Sequence, residues 1–168
     1  MQILETPRLL LRPFTLDDAQ AFYQLVSNAQ ITRYTGDLPV ADVQAARDLM
    51  LARPLRDYAV NGFGRHAVVE KSSGEVVGFS GLKRLTNGEV EIGYRFLIRC
   101  WGLGYATESA REALRWGREE LRLPRIIGQV VRDNTASVRV LEKLGLVYER
   151  SITLHEPGEL ALDVDIYA

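Results

Sequence analysis

Residues 91–109 read EIGYRFLIRCWGLGYATES and combine three kinds of local structure without a break. Polar and apolar residues alternate in the first half, which predicts a half-buried strand over about residues 89–98. A glycine-rich turn follows at residues 101–104, and apolar residues then recur at helical spacing over about residues 105–121. This stretch therefore predicts a strand, a tight turn and a helix in direct succession.

Before this stretch, the chain reads as one strand, two helices and a β-hairpin. Thr15 followed by acidic residues is a typical helix N-terminus, and Pro54 should limit or kink the second helix. A loop is expected over residues 31–39. The expected elements are a strand over residues 8–14, helices over about 15–28 and 41–58, and hairpin strands over 66–71 and 75–82.

After it, a strand, a capped helix and two further strands complete the chain. Asn134 can cap the helix, and Gly145 stands where a C-terminal glycine belongs. The expected strands cover residues 126–131, 146–154 and 159–167. This order predicts a single α+β domain over residues 1–168. Its mixed, mostly antiparallel sheet should carry one parallel β-α-β crossover from Glu89 to Val131.

Composition excludes several classes of protein. The chain has 168 residues, of which 46% are hydrophobic and 26% are charged. This balance is typical of a globular domain. The net charge of −1 comes without a basic stripe, so we expect no nucleic-acid partner. Cys100 is the single cysteine, and His66 and His155 lie in no metal-ligand spacing, so we expect neither a disulfide nor a metal. No signal peptide or long apolar run is present, which predicts a cytoplasmic protein without a membrane partner.

The glycine turn is a candidate anion site. Gly102 and Gly104 allow a tight turn, and the free N–H groups at the start of the following helix attract a diphosphate. The turn lacks the lysine of a Walker A loop, and Thr107 stands where a dinucleotide fingerprint needs its third glycine. Two interpretations remain from the turn alone: a backbone-amide diphosphate site or a plain structural turn.

The surrounding sequence resembles one enzyme superfamily. Arg99-x-x-Gly102-x-Gly104 matches the signature with which GNAT acetyltransferases bind the acetyl-CoA pyrophosphate. Residues 91–109 closely resemble the branch containing the ribosomal-protein serine and alanine N-acetyltransferases. Three other segments resemble that branch in the expected order: ETPRLLLRPFTLDDA at 5–19, GEVVGFSGL at 74–82 and NTASVRVLEKLGL at 134–146. The resemblance implies a central sheet of about seven strands, flanked by helices and containing a splayed strand pair.

The resemblance also implies a binding site for acetyl-CoA as co-substrate. Backbone groups should hold the pyrophosphate along the signature and the helix start. A bulge in the preceding strand should free an amide for the thioester oxygen. The implied pyrophosphate residues are Arg99, Gly102, Leu103, Gly104, Tyr105, Ala106 and Thr107, and those along pantetheine are Phe96, Leu97, Ile98 and Asn134.

Catalytic residues are less clearly marked. Many superfamily members carry a tyrosine general acid seven residues after the asparagine, but Leu141 occupies that position. Ser137, one turn earlier, either reaches the sulfur or merely caps the helix. Glu91 is either a general base for the acceptor or a solvated strand charge. Cys100 next to the turn invites a covalent mechanism, but no activating histidine is close in sequence, which favours a passive role.

The resulting prediction is acetyl transfer from acetyl-CoA to an amine by direct attack in a ternary complex. Deprotonating an α-amine at pH 7 costs about 1.4 kcal/mol, whereas deprotonating a lysine costs about 4.6 kcal/mol. This difference favours a protein N-terminus as the acceptor. Acetylation of a small-molecule amine, such as a polyamine or an antibiotic, and a CoA-binding module without catalysis remain as alternatives. The segments on the acceptor side, residues 34–37 and 58–65, are too generic to decide. The oligomeric state is expected to be monomer or homodimer.

Overall fold

The protein folds around two antiparallel sheets. The computed structural model describes residues 2–154 and 161–168. Five strands form the larger sheet in the order β1-β2-β3-β4-β5, and three form the smaller sheet in the order β6-β8-β7. The larger sheet comprises β1 (Leu4–Glu5), β2 (Leu9–Arg12), β3 (Arg65–Glu70), β4 (Val76–Arg84) and β5 (Val90–Phe96). The smaller sheet comprises β6 (Gly128–Val130), β7 (Tyr148–Leu154) and β8 (Leu162–Tyr167).

Six α-helices flank these sheets within the described residues. Two short 3₁₀ turns, Leu16–Asp18 and Ile98–Cys100, precede the first helix and the glycine turn. The helices are α1 (Ala19–Val26), α2 (Ala29–Thr32), α3 (Val43–Ala52), α4 (Pro54–Asn61), α5 (Tyr105–Glu119) and α6 (Thr135–Lys143).

Helices cover both faces of the larger sheet. On one face, Ala110, Ala113 and Leu114 of α5 are buried in a cluster with Leu82 and Ile92 of the sheet. On the other face, α1 and α3 pack against β3 and β4, in a cluster that includes Phe22, Met50, Ala67 and Phe79. Successive residues of β5 therefore point into two different environments, and neither face of this strand is simply solvated.

The fold class is confirmed, with local differences. The sheets have eight described strands instead of about seven, because the short β1 pairs with β2. The expected helix over residues 41–58 is two helices that meet at Arg53, because Pro54 cannot donate the hydrogen bond that would continue α3. The first two residues of the expected loop over 31–39 belong to α2. The last expected strand begins at Leu162, and Glu159 lies outside the described residues.

Candidate active site

The central feature of the site is the divergence of β5 from β6. The two strands meet in a single parallel bridge between Glu91 and Ile127. Here Ile92 donates its N–H to Ile127 O at 2.8 Å, and Ile127 donates its own to Val90 O at 2.9 Å. Along residues 128–130, β6 pairs with β8 on its other edge and makes no further bridge to β5. The described strands therefore diverge at the expected crossover, as a splayed pair requires.

The divergence leaves backbone groups of β5 facing the opening. Because Val90 and Ile92 bond towards β6, the alternation of a strand directs the N–H groups of Tyr94 and Phe96 to the same side. The indole N–H of Trp101 donates to Phe96 O at 2.9 Å. The amides directed at the opening therefore belong to Tyr94 and Phe96, and a β-type ligand could pair with them.

This arrangement contradicts the expected bulge and shows where the three implied pantetheine residues lie. Seven consecutive β4–β5 pairs show no register shift, so the expected bulge in β5 is absent and strand divergence frees the amides instead. Leu97 donates its N–H to Val77 O at 3.0 Å, on the side away from the opening, and its carbonyl accepts from Cys100 N. Of the three implied pantetheine residues, Phe96 has its amide in the opening, Leu97 does not, and Ile98 lies past the strand in a 3₁₀ turn.

The glycine turn joins this opening to the start of α5. Gly102 and Gly104 have φ of +77° and +83°. Both values lie in the left-handed region that side chains disfavour. Gly104 is the N-terminal cap of α5 and has no side chain to occupy the first-turn amides, which belong to Tyr105, Ala106 and Thr107. These N–H groups and the helix dipole have the chemistry of the predicted anion site. The amide of Leu103 lies in the same turn.

A clamp that sequence reasoning missed holds this turn. Arg8 donates from Nε to Glu108 Oε2 at 2.7 Å and from Nη1 to Leu103 O at 2.9 Å. Its guanidinium also lies over the Tyr105 ring, 4.7 Å from the centroid. Thr6 donates to the other Glu108 oxygen at 2.6 Å, and these bonds lower the pKa of Glu108 despite its burial. The start of the chain therefore fixes the glycine turn and neutralises the acid beside it.

Arg99 has a different partner from the one its motif implies. Its side chain is about half exposed and pairs with Glu75 at 2.6 Å, at the surface. An exposed pair of this kind is worth little energy and can exchange for a phosphate. The role of Arg99 in holding the pyrophosphate stays a prediction.

Asn134 and Ser137 lie together at the start of α6. The Asn134 side chain accepts from Ser137 N at 3.2 Å. This bond caps the helix and leaves the side-chain nitrogen of Asn134 uninvolved. The Ser137 hydroxyl lies 2.9 Å from the Tyr94 hydroxyl, across from β5. Ser137 is thus directed towards the strand that borders the opening, as a role near the sulfur requires. Tyr94 is a second residue that sequence reasoning missed.

Leu141 and Cys100 are packing residues. Leu141 is 2% exposed and lies in the main core, so the position of the usual tyrosine takes no part in chemistry here. Cys100 is 5% exposed, and burial raises the pKa of its thiol. Because the thiolate is the nucleophile, this environment disfavours a covalent acyl-enzyme.

Glu91 lies on the opposite face of β5 from Tyr94. Its carboxylate pairs with Arg65 Nη2 at 2.9 Å, and only 13% of the Glu91 side chain is exposed. Arg65 lies flat on the sheet, since a Cβ at Gly93 would come within 2.4 Å of its guanidinium. The expectation of a solvated strand charge is therefore wrong. Glu91 is a largely buried carboxylate at the point where the strands part.

A loop is anchored on the same face of β5, further along the strand. Asp37 accepts from Arg95 of β5 at 2.7 Å and from Arg53 at 2.7 Å. Burial opposes ionisation of Asp37, but these two bonds prevail and lower its pKa to about 2. On the other flank, Tyr58 donates to Arg65 O at 2.5 Å. Both segments considered for the acceptor side thus border the Glu91 face of β5.

The described part of the chain holds neither a metal cluster nor a membrane-spanning helix. No group of three or more His, Cys, Asp or Glu residues within 2–154 and 161–168 is arranged to hold a metal ion. None of the helices in these ranges has the length and apolar character needed to cross a membrane.

An open strand pair followed by an amide-rich glycine turn has the shape and the donors that suit an extended ligand with a diphosphate. Residues 8–147 match the acetyltransferase (GNAT) domain family. The chain belongs to this family and is an acetyl-CoA-dependent N-acetyltransferase. A relative named an uncharacterized N-acetyltransferase p20, from Bacillus licheniformis, is 32% identical over 99% of this chain and 94% of its own length.

Solved structures show the same fold. RimL, a ribosomal L7/L12 alpha-N-protein acetyltransferase in complex with coenzyme A, superposes with a TM-score of 0.80 at 20% identity, covering 99% of this chain and 96% of its own. Spermidine N-acetyltransferase from Vibrio cholerae, in complex with CoA and spermine, superposes with a TM-score of 0.78 at 20% identity, covering 96% of this chain and 95% of its own. These two proteins act on different acceptors, so the shared fold leaves the acceptor open.

Proposed function

We propose that this protein acetylates a protein N-terminal α-amine by direct attack within a ternary complex. The observation that carries the proposal is the opening between β5 and β6, with Ser137 on one face of β5 and Glu91 on the other. Direct transfer needs the leaving sulfur and the attacking nitrogen on different sides of the reacting carbon. The two faces of one strand provide this separation.

Different backbone donors bind the different parts of acetyl-CoA. First-turn amides of α5 hold the diphosphate, and the N–H groups of Tyr94 and Phe96 pair with the pantetheine arm. Acetyl-CoA supplies the acetyl group as an activated thioester. An amide of β5 then donates to the thioester oxygen as it gains negative charge, in the manner of an oxyanion hole. The described donors therefore fit the co-substrate along its length.

Glu91 and Ser137 act on the attacking amine and on the departing thiolate, respectively. The amine nitrogen forms its bond to the acyl carbon and loses a proton towards Glu91 through water. As the carbon–sulfur bond breaks, Ser137 donates a hydrogen bond to the thiolate. Because an alcohol is a weaker acid than a thiol, Ser137 donates only a hydrogen bond and keeps its proton. The thiolate gains its proton from solvent.

An α-amine suits this site better than a lysine. The Glu91 carboxylate is paired with Arg65 at 2.9 Å, so a proton taken up at Glu91 comes at the expense of this ion pair. Deprotonating a lysine at pH 7 costs about 3.2 kcal/mol more than deprotonating an α-amine. The neutral, reactive fraction of a lysine is therefore a few hundredfold smaller. RimL offers a precedent for an N-terminal acceptor. The cytoplasmic location and the choice between monomer and homodimer stay predictions.

Release of free thiol from acetyl-CoA tests this function. A peptide with a free α-amine should be turned over, and the same peptide with a blocked N-terminus and one lysine should react far more slowly. Spermidine serves as the small-amine comparison. Turnover of spermidine without acetylation of the peptide would show that the acceptor is a small amine and not a protein N-terminus. Binding of acetyl-CoA with no turnover of any acceptor would indicate a non-catalytic module.

A further inference from the structure

The Tyr94 hydroxyl lies next to the residue assigned to the thiolate. Tyr94 is on β5, beside the opening, and its side chain reaches α6. Its oxygen lies 2.9 Å from Ser137 Oγ and 3.1 Å from the Ser137 carbonyl oxygen. One phenol therefore contacts both the side chain and the backbone of the same serine.

The number of available protons constrains this contact. A carbonyl oxygen can only accept, so the bond between Tyr94 and the Ser137 carbonyl uses the single phenolic proton. When the phenolic proton is donated to the carbonyl, the second contact runs from the serine hydroxyl to the phenol oxygen, a contact in which either oxygen can donate. In this arrangement the serine proton is donated to the Tyr94 oxygen and cannot be donated to a ligand.

In the alternative arrangement the Tyr94 proton is donated to Ser137 Oγ, and the Ser137 carbonyl still has a hydrogen-bond donor. Ser137 is the third residue of α6, so its carbonyl also accepts the helical bond from the amide four residues later. If the phenolic proton turns to Ser137 Oγ, that helical bond remains. The serine proton is then free to point elsewhere while its oxygen keeps a partner.

We propose that Tyr94 is a positioning residue that releases the Ser137 proton for the departing thiolate. In the resting site the Tyr94 proton is donated to the Ser137 carbonyl. When the carbon–sulfur bond breaks, the Tyr94 proton turns to Ser137 Oγ and the serine proton turns to the sulfur. Only hydrogen bonds are exchanged, and no proton leaves either oxygen. This inference rests on the proposed role of Ser137.

The electrostatic environment of Tyr94 fits a donor that keeps its proton. Burial raises the pKa of Tyr94 to about 12; the bond with Ser137 opposes this shift and the nearby Glu91 carboxylate adds to it. The phenol therefore remains protonated throughout the neutral range. It can donate to either oxygen of Ser137 without ionising.

A double-mutant cycle separates this role from a structural one. Tyr94→Phe removes the donor that holds Ser137 Oγ while the serine proton points to the sulfur, and Ser137→Ala removes the donor to the sulfur itself. Each should lower kcat about five- to tenfold, with the KM for acetyl-CoA nearly unchanged. The double variant should be no slower than Ser137→Ala, because Tyr94 acts through the serine. Tyr23→Phe is the matched control, since its hydroxyl donates to the Ala41 carbonyl away from the opening, and it should keep the native kcat.

A second measurement needs no acceptor amine. The thiol of bound coenzyme A can be titrated by the ultraviolet absorbance of its thiolate. Both single variants should raise the pKa of this thiol by the same amount, up to about one pH unit. A protein that binds CoA without transferring acetyl would still give this result, so failure of the proposed function is seen separately.

Two outcomes would overturn the inference. One is a native kcat and a native thiol pKa in Tyr94→Phe. The other is a further loss of kcat when Tyr94→Phe is added to Ser137→Ala, which would show that Tyr94 acts independently of the serine. Thermal unfolding of each variant verifies that the comparison is made on folded protein.

Discussion

Gly104→Val should weaken acetyl-CoA binding in addition to a modest loss of fold stability. Gly104 has φ of +83°. Any side chain in this region costs about 1–2 kcal/mol of stability. A Cβ there would lie 3.4 Å from Arg8 Nη2, an ordinary contact, but valine adds two methyl groups beside the first-turn amides of α5. Loss of one charge-assisted hydrogen bond, worth about 1.5–3 kcal/mol, raises the Kd roughly 10- to 100-fold. Isothermal titration calorimetry with acetyl-CoA measures this change.

Gly62→Val provides the matched control for backbone strain. Gly62 has φ of +74° at the end of α4, and a Cβ there meets no atom within 4 Å. Both variants should lose similar stability in denaturant unfolding, whereas only Gly104→Val should lose affinity. Unchanged affinity in folded Gly104→Val would refute the assignment of the glycine turn to the diphosphate, and equal losses in both variants would trace the effect to strain.

Three further changes test other residues. Glu91→Gln should slow turnover and remove the acidic limb of the pH–rate profile, whereas the control Glu89→Gln should keep the native rate and the native profile. If Glu91→Gln retains the acidic limb, the amine loses its proton to solvent instead. Cys100→Ala should keep its turnover, and an acetylated Cys100 trapped by mass spectrometry would contradict direct attack. Burial lowers the pKa of His66 from 6.5 to about 4, so the unfolded state alone binds a proton between these values. His66 therefore leaves the free energy of unfolding unchanged above pH 6.5 and lowers it by about 1.4 kcal/mol per pH unit as the pH falls from 6.5 to about 4, with no further loss from this group below that. Denaturant titrations should show a shallower fall over this range in His66→Gln.

The features predicted well from sequence are those with local causes. The glycine turn and α5 depend on residues close together in the chain, and their predicted bounds lie within about two residues of the observed ones. The Asn134 cap and the parallel crossover are also confirmed. The sequence marks the break at Pro54 only as a limit or kink, because it does not show whether a new helix begins beyond a proline.

The features missed depend on contacts between distant segments. Arg8 and Glu108 are 100 residues apart, and Tyr94 and Ser137 are 43 apart. The alternation in β5 indicates correctly that Glu91 and Tyr94 lie on opposite faces. It cannot show that helices cover the Glu91 face or that Arg65 lies there, since a strand pattern carries no information about what packs above it.

The two faces of β5 together limit which acceptors can react. On one face, Tyr94 and Ser137 offer neutral hydroxyls that can stabilise a thiolate without supplying a full proton. On the other, Glu91 is already engaged by Arg65, so removing a proton from a strongly basic ammonium would cost that ion pair as well. A site that offers a hydrogen-bonding hydroxyl and an ion-paired carboxylate depends on an amine that is already neutral for part of the time at pH 7. Among the amines of proteins, the α-amine meets this condition and lysine does not.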